Sequence, residues 1–438
     1  MNFEESLEYL LSLGHETLTM KLGLRNTELL LESLGNPQKS FPSVQIAGTN
    51  GKGSTAVALD SICRAAGIKT GLFTSPHLIS ITERIVISGA LISPDEFSHF
   101  ASIVRTAADE LVRDARLPAL PTFFEHVTTI ALLAFKEAQV SLAILETGLG
   151  GRLDATTVAA AETIAITPLA LDHQEYLGES LEEIAAEKAA IIRPGVQAVI
   201  APQPQQALDV ILWRCDECSV TPDLVNESEV KVHDSTSDGR FRVTINTGEE
   251  TYKHVLLQLR GKHQIVNCAV AIHMAEILSK RGFAISAAAI VAGIETANHT
   301  GRLERYEGPP TILLDGAHNS SGALALRKYL EEFVDGPLTL IFGAMRDKKL
   351  EEIARILFPV ASQLVLTRPD NPRAAEIDML LELSLGMITP KNTFVAATTE
   401  EALAMAKEVT AFGGTICATG SLYLVGEMKR IIENAHVS

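Results

Sequence analysis

Between the apolar run Val44-Gln45-Ile46-Ala47 and a stretch from Thr55 to Ala66 that reads as a helix lies Gly48-Thr49-Asn50-Gly51-Lys52-Gly53-Ser54. Glycines let this backbone bend so that successive N–H groups point inward. The helix N-terminus adds positive potential, and Lys52 brings a full charge to phosphate oxygens. Strand, glycine loop and helix in that order predict a cradle for nucleotide phosphates. The common pattern GxxxxGK[ST] is not met, because position 46 is isoleucine and Gly53 follows Lys52. The alternative is a turn with an incidental lysine.

Other residues could serve such a cradle. Glu146 ends the apolar run Val140 to Leu145, where a carboxylate can reach the phosphate loop and hold Mg²⁺, a hard ion that prefers oxygen. The alternative is a helix N-cap or a surface acid. Asp315 ends Thr311-Ile312-Leu313-Leu314, the usual place for a ligand-facing residue in an α/β sheet. Thr122-Phe123-Phe124-Glu125 offers two aromatics that can wall in a flat ring, or that start a helix as core residues. Leu153-Asp154-Ala155 adds a carboxylate for ring donors. His173 alone reads as a hydrogen-bonded structural residue, Lys188 by its pattern as a solvated helix lysine, and Arg302 as a candidate interdomain ion pair.

These positions need a scaffold. Residues 3–12 and 26–34 read as an N-terminal helical lead-in. Apolar β-type runs at 44–47, 70–74, 140–147, 163–167 and 197–201 alternate with helical patterns such as 125–137 and 181–192. Such alternation predicts an α/β fold: an N-terminal P-loop-type ATPase domain with a parallel sheet between helices. Residues 241–246 and 252–259 flank Thr247-Gly248-Glu249-Glu250 and predict a β-hairpin appended to this first domain. A second alternating series, with strands at 311–314, 338–342, 363–367 and 415–418 and helices at 320–333 and 399–411, predicts a smaller Rossmann-like α/β domain. The expected boundary gives domains 1–297 and 298–438.

The cradle resembles the GTNGKGS loop of the folylpolyglutamate and dihydrofolate synthases, a branch of the Mur ligase superfamily. Thr74-Ser75-Pro76-His77-Leu78 with Glu83-Arg84-Ile85, Glu146 to Thr156, Leu171-Asp172-His173 and Ala186-Glu187-Lys188-Ala189 resemble further family motifs. So do Gly261 to Asn267, Gly301-Arg302-Leu303-Glu304, Asp315-Gly316-Ala317-His318-Asn319 and Thr419 to Tyr423, all in the family's order. The resemblance implies an ATP-dependent acid–amino-acid ligase that joins L-glutamate to dihydropteroate or a reduced folate through an acyl phosphate. It assigns ATP to Thr49, Asn50, Gly51, Lys52, Gly53, Ser54, Asn267, Arg302 and Asp315, the last touching the ribose. It assigns one Mg²⁺ to Ser75 and Glu146 and a second to His173, and it implies that Lys188 is carbamylated. Lys52, Lys188 and His318 become the catalytic candidates, His318 as an orienting group. The pterin would lie among Phe123, Phe124, Glu125, Leu153, Asp154 and Ala155. Arg368 and Arg373 could meet a glutamate carboxylate or simply be solvated. The second domain would close over the site on ligand binding, since water destroys acyl phosphates. Another Mur-type ligase and a regulatory ATPase remain as alternatives.

Composition bounds the rest. Lysine and arginine number 37 against 54 acidic residues, for a net charge of -17, which argues against nucleic-acid or anionic-membrane partners. An acidic start and the lack of a long apolar run point to the cytosol, and the resemblance to a monomer. Five scattered cysteines suit a reducing compartment. Cys215 and Cys218 form a CxxC with no second pair, which predicts a surface or edge position and no zinc.

Overall fold

The computed structural model describes residues 1–14 and 23–437. The chain divides into two compact units. One comprises Met1–Lys231, Val243–Val255 and Val266–Ala297; the other comprises Val232–Arg242, Leu256–Ile265 and Asn298–Ser438.

The first unit opens with helices α1 (Phe3–Ser12) and α2 (Arg25–Ser33). Then come β1 (Ser43–Ala47), α3 (Lys52–Ala65), β2 (Thr70–Phe73), β3 (Ile85–Ile87), β4 (Ala90–Leu91), α4 (Pro94–Arg113), α5 (Phe123–Glu137) and β5 (Leu142–Glu146). The series continues through β6 (Thr163–Ile166), α6 (Gln174–Leu177), α7 (Leu181–Ala189), β7 (Gln197–Ile200), α8 (Gln205–Glu217) and β8 (Asp223–Leu224). Eight strands form one sheet in the order β4-β3-β2-β5-β1-β6-β7-β8, parallel from β2 to β8 and antiparallel at the β3 and β4 edge. Its central strands are buried throughout, as continuous apolar runs require when helices cover both faces. One core gathers Leu10, Leu30, Phe97, Phe135 and Leu145 under α1, α2, α4 and α5; another gathers Ile166, Ala185, Ile192 and Ile211 under α7 and α8. Reciprocal capping boxes, Asn2 with Glu5, Ser93 with Glu96, Thr122 with Glu125 and Ser180 with Glu183, start four of these helices.

The expected hairpin is part of a three-stranded sheet, order β11-β10-β9, from β9 (Val230–Ser235), β10 (Phe241–Asn246) and β11 (Thr251–Leu256). It is not simply an appendage of the first domain, because its residues divide between the two units. Next come α9 (His263–Lys280), which the sequence pattern did not flag, and α10 (Ala287–Thr296). α10 packs on α3, with Gly293 against the Ile62 backbone: a Cβ there would come within 2.3 Å of Ile62 Cα.

The second unit holds β12 (Glu304–Tyr306), β13 (Thr311–Leu314), α11 (Ser320–Phe333), β14 (Leu338–Phe342), α12 (Leu350–Leu357), β15 (Gln363–Leu366), α13 (Ile377–Ser384), β16 (Thr393–Val395), α14 (Thr399–Val409), β17 (Thr415–Thr419) and α15 (Leu422–Val437). Its sheet runs β12-β13-β17-β14-β15-β16, parallel except for β12. Leu313, Leu340, Phe342, Leu364 and Cys417 form its core with Leu326, Leu330, Ile353 and Leu357 from the helices.

Cys215 and Cys218 correct the sequence expectation. They are 2% and 5% exposed, packed beneath α8 with Ala207 and Ile211 as free thiols. Burial pushes the Cys215 thiol up to about 11, so Cys215 stays protonated and unreactive.

A buried histidine held between two partly exposed carboxylates ties α9 to the end of the sheet. His273 Nδ1 lies 2.8 Å from Asp223 Oδ2, and His273 Nε2 lies 2.9 Å from Glu229 Oε2. Burial disfavours the charged ring, but the two carboxylates together outweigh it and raise the imidazole above its ordinary 6.5. A pKa raised on folding contributes stability that is complete below the unfolded value and fades as pH climbs through the folded one. His273→Leu is therefore expected to melt well below the parent at about pH 6, with the gap narrowing by about pH 9. Melting curves at the two pH values check this, and a gap that widens with pH would contradict it.

Candidate active site

The ends of β1, β5 and β6 lie side by side, with Ile46 in register with Glu146 on one flank and Ala165 on the other. The loops leaving these ends therefore meet at the carboxyl edge of the sheet. Gly48 sits hard against β6's exit: a Cβ on it would lie 1.8 Å from Thr167 Oγ1. The Thr49 and Asn50 N–H groups donate to Pro168 O at 3.3 and 3.1 Å. Thr49 Oγ1 donates to Ala170 O and accepts from the Ala170 N–H, each at 3.1 Å. Gly51, at φ 85°, caps α3 in the left-handed region, where a Cβ would also strike Asn267 Oδ1 at 2.1 Å. Lys52 is the first residue of α3, not part of the loop before it, and Gly53 and Ser54 follow in its first turn. The Lys52 ammonium folds back to Thr49 O at 3.3 Å. The structure thus brings Thr49 to Ser54 and Asn267, a residue of α9, into one cluster.

Glu146 is 5% exposed, and its Oε2 accepts the Ser75 N–H at 3.0 Å. The carboxylate and the loop after β2 are thereby joined through the Ser75 backbone. His173 occupies the left-handed region at φ 52°, capping the short α6, with Nε2 4.0 Å from Asp172 Oδ2.

Lys188 departs from the solvated-lysine pattern. It stands in the last turn of α7 at 4% exposure. Burial, then the nearby charge of Lys52, pull its amine down to about 7, against opposing pulls from Asp172, Asp154 and Glu187. The loop after β5 packs on this end of α7. A Cβ on Gly151 would meet Glu187 O at 2.9 Å and Lys188 O at 3.0 Å, and the Arg152 N–H donates to Glu187 O at 3.0 Å.

The aromatic pair splits in role. Phe123 is a core residue beneath the fully buried Arg84, whose guanidinium carbon lies 5.4 Å from the ring centre. Phe124 lies over Gly148, where a Cβ would come within 2.4 Å of its ring. Glu125 closes the cap of α5 on the Thr122 N–H at 2.6 Å and accepts from Thr27 Oγ1 at 3.2 Å. Asp154 is also engaged within its own loop: Oδ2 accepts the Leu149 N–H at 2.9 Å and Oδ1 the Thr156 N–H at 3.0 Å. Burial raises this carboxyl, and those hydrogen bonds work against the rise. Leu153 and Ala155 flank it in sequence, Ala155 buried.

Arg302, Asp315 and His318 cluster in the second unit. Asp315 extends β13 and accepts the Leu303 and Ala317 N–H groups at 3.0 Å each. Burial raises its carboxyl while Arg302 draws it down. His318 Nδ1 donates to Gly316 O at 2.8 Å, which fixes the proton on that nitrogen. Arg373 pairs with Asp347 at 2.8 Å and Arg368 with Glu376 at 3.2 Å.

Residues 46–275 match the Mur ligase middle domain, and residues 301–422 match the Mur ligase glutamate ligase domain. A dihydrofolate synthase/folylpolyglutamate synthase of Bacillus subtilis is 32% identical over 95% of this chain and 96% of its own. The chain belongs to the folylpolyglutamate and dihydrofolate synthase family. Its member from Escherichia coli is 31% identical over 98% of this chain and 94% of its own. A Mycobacterium tuberculosis folylpolyglutamate synthase, solved with ADP and AMPPCP, superposes with a TM-score of 0.88 at 30% identity, over 98% of this chain and 99% of that one. Escherichia coli FolC in complex with DHPP and ADP gives 0.87 at 28% identity, over 100% and 99%.

Within the family frame, two groups of residues escape sequence reasoning. Gln45, Thr156 and Thr157 form a buried polar cluster beneath the loop after β5. Tyr9 and Thr27, from the lead-in helices, hydrogen-bond His126 and Glu125 at the start of α5, at 3.0 and 3.2 Å. Both groups link positions about a hundred residues apart, a separation that leaves no local pattern. Among the described residues no helix is long and apolar enough to cross a membrane, and no three His, Cys, Asp or Glu side chains converge as a metal cage. A Mg²⁺ ion fits the donors present all the same, because it keeps several waters and takes phosphate oxygens alongside one or two protein ligands. The buried Glu146 carboxylate, already joined to Ser75, is such a donor.

Proposed function

We propose that this chain is an ATP-dependent ligase that adds L-glutamate to dihydropteroate and to the γ-carboxylate of tetrahydrofolate. A carboxylate is a poor electrophile for an amine, so it must be activated. A carboxylate oxygen of the acceptor attacks the γ-phosphorus, the bond from that phosphorus to the β–γ bridging oxygen breaks, and ADP leaves. The glutamate nitrogen then attacks the acyl carbon and loses a proton, the acyl C–O bond breaks, and inorganic phosphate departs with that oxygen and the electron pair.

The observation that carries this reading is the convergence of the Gly48 to Ser54 cradle, Glu146 with Ser75, and Asn267 at one sheet edge. The N-terminal turn of α3 and Lys52 hold and neutralise the phosphates, the loop before them being fixed by its own bonds to Pro168 O, while the packed loops around them restrict water. Ser75 and Glu146 would hold one Mg²⁺ and His173 a second, supplying charge neutralisation at the transferring phosphoryl group. Arg302 and Asp315 take phosphate and ribose, and His318, with its Nδ1 proton committed, orients a reacting group. Phe124 over Gly148 walls the pterin. Phe123, Glu125, Leu153, Asp154 and Ala155 shape that pocket from behind.

Lys188 is carbamylated in this reading. A buried amine near pKa 7 keeps a lone pair that attacks the carbon of CO₂, forming the N–C bond and releasing a proton. The resulting anion would oppose the charge of Lys52 and add an oxygen donor.

Product mass spectrometry with ATP, Mg²⁺, glutamate and either dihydropteroate or tetrahydrofolate tests the proposal. One added glutamyl group and phosphate release that depends on both co-substrates are expected. Release that ignores both would indicate a regulatory ATPase, and glutamate joined only to non-folate acids would indicate another Mur-type ligase.

A further inference from the structure

Gln45 lies in the middle of β1 with 0% exposure, flanked by Val44 and Ile46. Its Nε2 is 2.8 Å from Thr157 Oγ1, 3.0 Å from Thr156 Oγ1 and 3.3 Å from Thr147 Oγ1. What lies beyond two of these hydroxyls fixes the direction of the bonds. Thr157 donates its hydroxyl proton to Gly151 O at 2.7 Å, and Thr156 donates its own to Asp154 Oδ1 at 2.5 Å. With both protons spent, the hydroxyls accept, and the two hydrogens of the Gln45 amide match their lone pairs. Gln45 Oε1, by contrast, has no hydrogen-bond partner among the described residues.

A buried carbonyl oxygen without a partner is unfavourable, and an aliphatic residue would fill a central strand better. The position therefore calls for a donor. Two chains of hydrogen bonds run outward from it. One ends at Gly151 O; the other passes through Asp154 to the Leu149 N–H at 2.9 Å. They grip the Gly148 to Gly151 loop at two points, on the segment that follows Glu146 and carries Gly148 against the Phe124 ring.

We propose that Gln45 is a positioning residue for the acceptor substrate, setting the Gly148 to Gly151 loop through Thr156 and Thr157. The inference rests on the acceptor pocket assigned above, and it adds the buried donor that fixes one wall of that pocket. Because the phosphate cradle keeps its own contacts to Pro168 and Ala170, loosening this wall weakens acceptor binding and leaves ATP binding in place, and any effect passed through Gly151 to the Lys188 end of α7 falls on kcat.

The test compares Gln45→Met, Thr157→Val, their combination and Thr157→Ser in the full-length enzyme, with KM measured separately for dihydropteroate and ATP. Gln45→Met and Thr157→Val are each expected to raise the dihydropteroate KM about tenfold with the ATP KM unmoved. The double variant should be no worse than Gln45→Met alone, since Thr157 lies on a chain that Gln45 already heads. Thr157→Ser, which restores the hydroxyl, should recover the KM that Thr157→Val loses. If Gln45→Met fails to fold, the valine and serine pair alone decides. KM values for dihydropteroate and ATP that move together, an unchanged dihydropteroate KM in Thr157→Val, or single effects that multiply in the double variant would overturn the inference. No glutamyl product from the unaltered enzyme would overturn the ligase reading and this inference with it.

Discussion

Lys52→Met is expected to lower kcat at least about a hundredfold while the protein keeps its melting temperature, because the change removes a full charge from the phosphate cradle. The side chain is half-buried and reaches back to Thr49 O at 3.3 Å. The loop is shaped by Gly48 against Thr167 and by the Pro168 carbonyl, and those contacts survive the substitution. Steady-state turnover beside a thermal melt makes the check. A variant within a few-fold of the parent would remove Lys52 from phosphate transfer altogether.

The second large effect concerns Lys188. Lys188→Ala and Lys188→Arg are both expected to lose turnover by about a hundredfold or more, because neither side chain can become an anionic oxygen donor. The arginine variant discriminates: if the residue worked as a cation, arginine would preserve activity. In the unaltered enzyme, acid protonates an amine near pKa 7, so the carbamate is favoured on the alkaline side. Activity in CO₂-depleted buffer should therefore fall as pH drops through about 7, and added bicarbonate should restore it. Intact-protein mass spectrometry should find the mass of CO₂ on the active form, lost in acid. An active enzyme carrying an unmodified Lys188 would end the proposal.

Much of this arrangement was legible in the chain itself. The glycine cluster between an apolar run and a helical run announces the cradle, and β1, β5 and β13 end in or just before the residues expected to face ligand. The lysine of α7 departs from its local pattern because the charges that act on its buried amine, Lys52, Asp172 and Asp154, come from distant segments, which no window of sequence contains. The CxxC was misplaced although its signal was present: Ala207, Ile211 and Cys215 recur every four residues as the buried stripe of α8. α9 escaped notice for the opposite reason. It is apolar on nearly every side, with residues 267–275 buried without a break, so it offers no alternation to detect. Asp154 offers a carboxylate to the ligand in the sequence and also accepts backbone N–H groups of its own loop, and Glu125 of the pterin segment likewise caps α5. A single chain of residue letters cannot distinguish an acid that meets a substrate from one that holds its own loop.

The chain enters and leaves its second unit more than once before settling there at Asn298. Tyr329 and Phe333 of α11 are covered by the early visits: Tyr329 donates to Asp238 O at 2.9 Å and lies against Gly239, and Phe333 meets Phe241 edge-on at 5.7 Å between ring centres. A gene fragment beginning at 298 would therefore leave two aromatic side chains bare. Exchange of catalytic halves between relatives accordingly requires the 232–242 and 256–265 segments to travel with the C-terminal piece, so single-crossover chimeras spliced at 297 inherit a mismatched seam.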